Sequence, residues 1–405
     1  MPSYKKAQFI SWEIHTGPLR NNKREAISYA GFRNSGLPDD RVDAASQCFD
    51  IDARLAFTSN AMNTAHKLAD ANPATLKVFL APEFLYRGAG GAYLHDLLNG
   101  WTGAAPVDFQ LPAPYNAKWP GLFGSLQHLA ANADYENWLF VFGTAISASF
   151  PTAQAVNKKW LLDAKKPGEI YNTALIQLGG VGKTAQNYTS RKHYKSGIDF
   201  IGWNTGRLHT DTNVLPAEPE AIIPEDVLGV TEGGALFNIP IVNDAAGKAI
   251  DFGVEVCLDH ARSGGNRANT WGRIRTANQW VKLQLVPSGG MSLVDASIRL
   301  EPSSGPTPHS YAFNCDGLGS LAETYGCHTQ IWNGANGAAV PPVNKLIEAN
   351  NGTALAKTKV GKVIDLVMTP TSGSIKDELL WNSGLGNDTW LKGSGSVRVV
   401  DPLDL

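Results

Sequence analysis

One stretch decides which fold the sequence predicts: residues 250–260, which read IDFGVEVCLDH. Its first seven residues are rich in apolar and β-branched side chains and predict a buried strand. A similar run at 236–241 precedes it, and the polar residues 243–248 between them predict a hairpin turn. Loops beyond strand ends are where open α/β sheets place catalytic groups. Cys257 follows the second strand directly, so it lies where a nucleophile would lie.

The rest of the chain alternates strand and helix patterns. Strands are predicted at 7–14, 76–81, 138–146, 170–178, 185–191 and 281–286, and helices from about residue 50 or 52 to 70, at 122–137 and at 267–280. After about residue 300 the pattern weakens to short β-like runs at 328–332 and 363–368. The alternation predicts a layered α/β domain.

The composition excludes several classes of protein. The chain has 405 residues, 18% of them charged, and a net charge of −2, which argues against a partner bound through nucleic-acid phosphates. Its longest uncharged apolar runs, 138–142 and 281–286, are too short to span a bilayer, so no membrane partner is expected. The N-terminus carries no apolar signal core, so we expect a cytoplasmic location.

The cysteines and histidines predict neither a disulfide framework nor a metal site. Cys48, Cys257, Cys315 and Cys327 have no CxxC spacing, so free thiols are expected in a reducing compartment. The candidate ligands are scattered along the chain without the spacing that metal sites need. We therefore predict no metal and no cofactor.

Three polar residues follow three buried-looking strands, and their chemistry fits together. Glu83 follows 78–82, Lys192 follows 187–191, and Cys257 follows 252–256. A thiolate can attack a carbonyl or nitrile carbon, and a carboxylate can take the thiol proton and later activate water. An ammonium can stabilise the oxyanion that forms. The sequence therefore predicts a thiol-dependent catalytic trio.

The motifs around this trio, in this order, resemble those of the nitrilase superfamily of carbon–nitrogen hydrolases. They are Pro82-Glu83-Phe84-Leu85-Tyr86-Arg87-Gly88, then Tyr171-Asn172-Thr173-Ala174 with Tyr188 and Arg191-Lys192-His193, then Phe237, Gly247 and Gly253-Val254-Glu255-Val256-Cys257-Leu258-Asp259, and finally Leu285-Val286-Pro287-Ser288. The resemblance covers most of 7–15, 51–88, 122–200 and 235–290. It implies Glu83 as general base, Lys192 as oxyanion and positioning residue, and Cys257 as nucleophile.

The resemblance also implies the architecture. It predicts an α/β fold built as a four-layer α-β-β-α sandwich of the nitrilase type, in a single domain over 1–405 with a core at about 7–300. Long intervals between the motifs predict insertions near 16–48, 88–120, 149–168 and 203–234, and leave 301–405 as a divergent C-terminal part. Members of the family commonly pair, so a homodimer or larger homo-oligomer is expected.

Further site residues are expected around the trio. The family often carries a second acid after the lysine, for which Asp199 is the nearest candidate, and the N–H of Leu258 would complete the oxyanion site. Lys195 is a rival to Lys192 but lacks its Arg-Lys-His context. The arginine that often follows the Cys-x-Asp pattern is displaced to Arg262. Candidate substrate-binding residues are Phe84, Arg87, Trp203 and Asp259, although Arg87 also fits a structural ion pair.

The predicted activity is hydrolysis of a non-peptide C–N bond in a small amide or carbamoyl compound through a Cys257 thioester. Leu258-Asp259 stands where true nitrilases carry Trp-Glu, which favours amides over nitriles. Nitrile hydrolysis, acyl transfer to an amine, and a non-catalytic binding role on the same fold are the alternatives.

Three other features have two interpretations each. The run 179–184 (GGVGKT) is similar to the end of a phosphate-binding loop, but a strand pattern follows it, which favours a hairpin turn. His260 could pair with Cys257 as a dyad or lie behind the site. Trp101 and Trp119, in an aromatic-rich segment typical of lids, could cover the site or pack in the core.

Overall fold

A computed structural model of the chain describes residues 3–17, 19–20, 26–28, 44–87, 92–149, 152–154, 160–162, 169–194, 196, 198–199, 232–264, 267–304, 309–318, 328–333, 346–348, 358–363, 367–368, 375–376 and 395–405. Large parts of the predicted insertions at 16–48, 149–168 and 203–234 lie outside these residues.

The elements alternate strands with a small number of helices. The helices are α1 (Ala44–Leu68), α2 (Asp96–Asn99), α3 (Gly121–Ala130) and α4 (Arg273–Thr276). The strands are β1 (Ser3–Tyr4), β2 (Lys6–Glu13), β3 (Leu19–Arg20), β4 (Ala26–Ser28), β5 (Thr75–Leu80), β6 (Tyr93–Leu94), β7 (Trp138–Ser149), β8 (Thr152–Gln154), β9 (Trp160–Leu162), β10 (Glu169–Leu178), β11 (Asn187–Arg191), β12 (Glu232–Gly233), β13 (Leu236–Asp244), β14 (Ala249–Val254), β15 (Leu283–Ser288), β16 (Tyr311–Asp316), β17 (His328–Asn333), β18 (Leu346–Glu348), β19 (Thr358–Lys362), β20 (Val367–Met368), β21 (Ile375–Lys376), β22 (Ser396–Val400) and β23 (Leu403–Asp404).

Two mixed sheets carry the architecture. The larger has ten strands with the main order β12-β11-β10-β7-β5-β2-β22-β19, in which β2, β5 and β7 run parallel. The smaller has the order β1-β13-β14-β15-β16-β17-β18, in which β14, β15 and β16 run parallel. The chain is therefore a mixed α/β protein, as the alternation predicted.

The two sheets pack face to face. One apolar cluster joins Phe9, Val78 and Val141 of the larger sheet to Phe252 and Phe313 of the smaller one. Helices α1 and α3 cover the other face of the larger sheet, where a second cluster lies. Burial of this many apolar side chains is the main favourable term in folding.

The outer face of the smaller sheet is covered differently. Ile274 of α4 lies against Gly253 of β14, and Leu293 and Leu300 pack on Trp332 of β17. In the part of the chain that the structure describes, α4 and short 3-10 turns are the only helical pieces on that side. The fourth, helical layer stays a prediction.

Most predicted elements are present, with shifted ends. The hairpin at 179–184 is confirmed, because β10 and β11 pair antiparallel around it. The helix predicted at 267–280 is wrong except for α4, because Arg267 and Asn278 adopt positive φ, which an α-helix does not contain. The strands that went unpredicted include β16 and β22, and through them both sheets extend beyond residue 300.

The aromatic segment after residue 92 is packed in the core. Trp101 and Trp119 have ring centroids 5.2 Å apart and lie in the cluster on the outer face of the larger sheet. Trp101 Nε1 also donates to the carbonyl of Tyr115. The covering role considered for these two tryptophans is therefore replaced by a packing role.

Gly143 in β7 lets the loop after β5 approach closely. It has φ +68°, and a Cβ there would lie 2.2 Å from the carbonyl oxygen of Pro82. Gly182, in the hairpin turn, has φ +72° with no atom within 4 Å of its Cβ position. The two glycines share a backbone conformation and differ in the space around them.

We expect Gly182→Ala to cost about 1–2 kcal/mol, the strain of a left-handed alanine. Gly143→Ala should cost clearly more, since it adds a backbone clash to the same strain. Urea unfolding of both variants checks this, and equal losses of unfolding free energy would contradict the clash.

Candidate active site

Loops at the ends of β5, β11 and β14 bring Glu83, Lys192 and Cys257 together. Lys192 Nζ lies 2.8 Å from Glu83 Oε1, and both side chains are buried. Cys257 is 4% exposed, and its thiol interacts with the Glu83 carboxyl group and with the charge of Lys192. The structure therefore joins three residues that are 109 and 65 positions apart in the chain.

The backbone around Glu83 is held from both sheets. Its N–H donates to the carbonyl of Ser288 at the end of β15, 3.2 Å away. Its carbonyl accepts from Thr16 Oγ1 at 2.5 Å. The next residue, Phe84, has φ +64°, and its N–H donates to Thr144 Oγ1 at 2.9 Å. These bonds fix the direction of the carboxylate.

Lys192 lies between two carboxylates. Its Nζ lies 2.7 Å from Asp199 Oδ1 as well as 2.8 Å from Glu83 Oε1. Its backbone N–H donates to the carbonyl of Asn172 in β10, and Asn172 Nδ2 donates to Glu83 Oε1 at 2.8 Å. The structure thus places Asp199, the predicted second acid, directly on the lysine.

Cys257 begins a 3-10 turn that runs to His260. Its φ is +49°, a left-handed conformation that is uncommon for residues other than glycine. Such strained backbone often occurs at functional sites. Leu258, the predicted oxyanion donor, is the next residue of the same turn.

The charges of the cluster set its proton chemistry. Burial raises the pKa of Glu83 to about 7, against the opposing influence of Lys192. Burial and the Glu83 charge raise the pKa of Cys257, and Lys192 lowers it. The carboxylates of Glu83 and Asp199 hold the pKa of Lys192 well above its usual value, against burial, so the lysine stays charged. Moving a proton from Cys257 to Glu83 leaves the net charge of the cluster unchanged.

Asp259 belongs to the 3-10 turn of the predicted nucleophile, Cys257–His260 (the nucleophile turn), and contacts the loop that carries Lys192 after β11 (the lysine loop). It is fully buried and accepts hydrogen bonds from the backbone N–H groups of His193 and Tyr194. Its Oδ2 lies 3.0 Å from Arg273. Burial raises the pKa of Asp259, and Arg273 and the two N–H donors oppose that rise. Both oxygens have protein partners, and the predicted substrate contact of Asp259 stays a prediction.

The arginine at Asp259 is Arg273. Arg262, the displaced candidate, has an exposed side chain. Arg273 comes from α4 and donates also to the carbonyl of Arg191 and to His193 Nε2. Sequence spacing gave no signal for it, since it lies 14 residues beyond Asp259.

The hydrogen bonds of His260 go to residues other than Cys257. Its Nδ1 lies 2.6 Å from Glu255 Oε2, and its Nε2 accepts from the N–H of Val294 at 3.0 Å. Glu255 also accepts from Gln284 Nε2 and from the N–H of Ile274. Both ring nitrogens are engaged, so the geometry favours a supporting role for His260 over a Cys–His dyad.

The remaining candidates have mixed outcomes. The Phe84 ring lies 5.8 Å from Lys192 Nζ and 5.0 Å from the Arg87 guanidinium, and both Phe84 and Arg87 are buried. Their substrate contacts stay predictions. Trp203 and Lys195 lie outside the residues that the structure describes.

Four residues of the site carried no specific role in the sequence prediction: Thr16, Asn172, Gly289 and Arg273. A Cβ on Gly289 would lie 2.8 Å from the Phe84 ring and 3.2 Å from Glu83 Oε2, so the site needs a glycine there. Asn172 lay inside a quoted motif, which was the one available signal.

Within the described ranges, no cluster of three or more metal-binding side chains occurs, and no helix combines the length and apolarity needed to cross a membrane.

Comparison with known proteins gives structural similarity only. No family model and no curated protein matches the sequence. A glutamine-dependent NAD(+) synthetase from Cytophaga hutchinsonii is similar at 11% identity and a TM-score of 0.35; the match covers 84% of this chain and 40% of the synthetase. An amidase of Nesterenkonia AN1, described as from the nitrilase superfamily, is similar at 12% identity and a TM-score of 0.32, over 82% of this chain and 85% of the amidase. An N-terminal amidase is similar at 12% identity and a TM-score of 0.31, over 72% of this chain and 50% of that protein.

Glu83→Gln should stabilise the protein at alkaline pH. Because burial raises the pKa of Glu83 from its ordinary value to about 7, ionisation of Glu83 lowers stability as the pH rises through that range. The amide keeps an oxygen for Asn172 and Lys192 and cannot ionise. We expect the Tm of the variant to be close to that of the wild type at pH 5 and higher at pH 8, by thermal scanning.

The control is Glu13→Gln, which removes a buried carboxylate paired with Arg398 at 2.7 Å. It should lower the Tm at pH 8. A Tm difference for Glu83→Gln that does not grow with pH would contradict the assigned ionisation.

Proposed function

We propose that this protein hydrolyses the C–N bond of a small non-peptide amide or carbamoyl compound through a thioester on Cys257. The observation that carries the proposal is the Lys192 ammonium held between Glu83 and Asp199, at 2.8 and 2.7 Å, beside a buried thiol. Nucleophile, base and oxyanion stabiliser are the three groups that acyl transfer needs.

In acylation, the Cys257 sulfur attacks the carbonyl carbon and its proton passes to Glu83. The carbonyl oxygen becomes an oxyanion, which the Lys192 ammonium and the Leu258 N–H stabilise. When the tetrahedral intermediate collapses, the C–N bond breaks and Glu83 returns the proton to the departing nitrogen. Ammonia or an amine leaves, and the acyl group remains on sulfur.

In deacylation, water replaces the leaving group. Glu83 takes a proton from the water, and the resulting hydroxide attacks the thioester carbon. The C–S bond breaks, the thiolate regains the proton from Glu83, and the acid leaves. A base with a pKa of about 7 suits both steps, because it can take and return a proton near neutral pH.

Asp199 keeps Lys192 charged and in place during this cycle. With one carboxylate on each side, the ammonium stays bound when Glu83 becomes protonated, since Asp199 still pairs with it. Ser196 in turn donates to both oxygens of Asp199, at 2.7 and 2.8 Å. Asp199 is thus proposed as a positioning residue.

The test uses short aliphatic amides. Wild-type protein mixed with propionamide or butyramide should release ammonia, and acid-quenched samples should show an intact-mass increase equal to the amide minus ammonia. Cys257→Ala should lose both signals, with turnover reduced by at least about 10³-fold.

Cys48→Ala is the matched control, since Cys48 is a buried cysteine on α1, on the opposite face of the larger sheet. It should keep both activity and adduct. Undiminished ammonia release by Cys257→Ala, or an acyl adduct on any other cysteine, would refute the mechanism.

A further inference from the structure

Asp259 belongs to the nucleophile turn, but its hydrogen bonds reach the lysine loop. Oδ1 accepts from the N–H of His193 at 3.1 Å and of Tyr194 at 2.8 Å, and Oδ2 accepts from the N–H of His193 at 2.9 Å. These are the two residues directly after Lys192. The carboxylate therefore ties the residue two positions after Cys257 to the backbone beside the catalytic lysine.

Arg273 engages the same loop on both sides of the lysine. It pairs with Asp259 at 3.0 Å, donates to the carbonyl of Arg191 at 3.2 Å, and donates to His193 Nε2 at 3.0 Å. Arg191 precedes Lys192 and His193 follows it. Guanidinium groups suit such a bridge, because their donors point in fixed directions.

Arg273 is itself anchored to the strand that leads to the cysteine. The N–H of Ile274, the next residue of α4, donates to Glu255 Oε1 at 2.8 Å. Glu255 Oε2 lies 2.6 Å from His260 Nδ1 at the end of the nucleophile turn. These contacts form a closed path. It runs from Glu255 to α4, from Arg273 of α4 to the lysine loop, and from that loop through Asp259 back to the nucleophile turn.

We propose that Asp259, with Arg273 as its counter-ion, is a positioning residue that fixes Lys192 relative to Cys257 and Glu83. The proposal rests on the proposed function, since it assigns Asp259 to the geometry of that same site. It gives Asp259 a role other than substrate binding.

The role has a chemical consequence that a purely structural residue lacks. Lys192 favours the Cys257 thiolate, while Glu83 and Asp199 are the negative charges that oppose it. An asparagine at 259 replaces one acceptor oxygen with an NH₂ group, which cannot accept from a backbone N–H or from Arg273. The lysine loop then loses part of its anchor, and the thiolate loses part of its stabilisation.

The experiment measures how fast iodoacetamide alkylates Cys257 as a function of pH, by peptide mass spectrometry. The proteins are the wild type, Asp259→Asn, Arg273→Lys and Glu13→Gln. Glu13→Gln is the matched control, because it also disrupts a buried carboxylate–arginine pair, outside the site. In Asp259→Asn we expect the midpoint of the alkylation profile to rise by about one pH unit, and in Arg273→Lys by less.

Glu13→Gln should lose thermal stability and keep the wild-type midpoint. If Asp259→Asn does not fold, Arg273→Lys decides, because it keeps the charge and loses the bridge across Lys192. A midpoint for the folded variant equal to that of the wild type overturns the proposal.

The two proposals fail in different ways. If wild-type Cys257 is alkylated no faster than Cys48 at any pH, the proposed function fails. If wild-type Cys257 is selectively reactive and Asp259→Asn leaves its profile unmoved, only the role of Asp259 fails.

Discussion

The site depends on one buried ammonium. Lys192 separates two carboxylates, Glu83 and Asp199, that would otherwise repel each other in a region from which water is excluded. Burying charges is costly unless each has a partner, and removing one partner costs more than the pair contributes. With the lysine in place, one negative charge remains over the cluster. That charge can reside on carboxylate or sulfur, so a proton shift inside the site needs no counter-ion from outside.

The position of this cluster follows from how the sheets meet. Glu83 comes from the larger sheet, Cys257 from the smaller, and the Glu83 N–H donates to Ser288 at the end of β15. Because the apolar layer between the sheets is continuous with the site, packing sets the distance between the Glu83 carboxylate and the Cys257 sulfur. Gly143 and Gly289 let backbone and ring approach where side chains would hold them apart. A substitution that changes the packing between the sheets therefore also changes the distances between the polar groups of the site.

Sequence patterns predicted Glu83 and Cys257 because each directly follows a short apolar run, and such runs are what periodicity detects. Lys192 follows the polar strand 187–191 and was predicted from its Arg191-Lys192-His193 motif. Arg273 was beyond that method, since its partner Asp259 becomes a neighbour only when α4 folds back over the nucleophile turn. The helix expected around α4 failed for a local reason, the positive φ values at Arg267 and Asn278. β16 went unpredicted although it lies inside the smaller sheet, because Asn314 and Asp316 interrupt its apolar run.

The left-handed backbone at Cys257 limits which side chains this position can hold. At φ +49° a side chain branched at Cβ is strongly disfavoured, whereas an unbranched one is tolerated. Serine fits this position with the same backbone, and threonine does not. A hydroxyl can therefore replace the thiol by a single substitution to serine, while threonine requires the whole turn to change shape first.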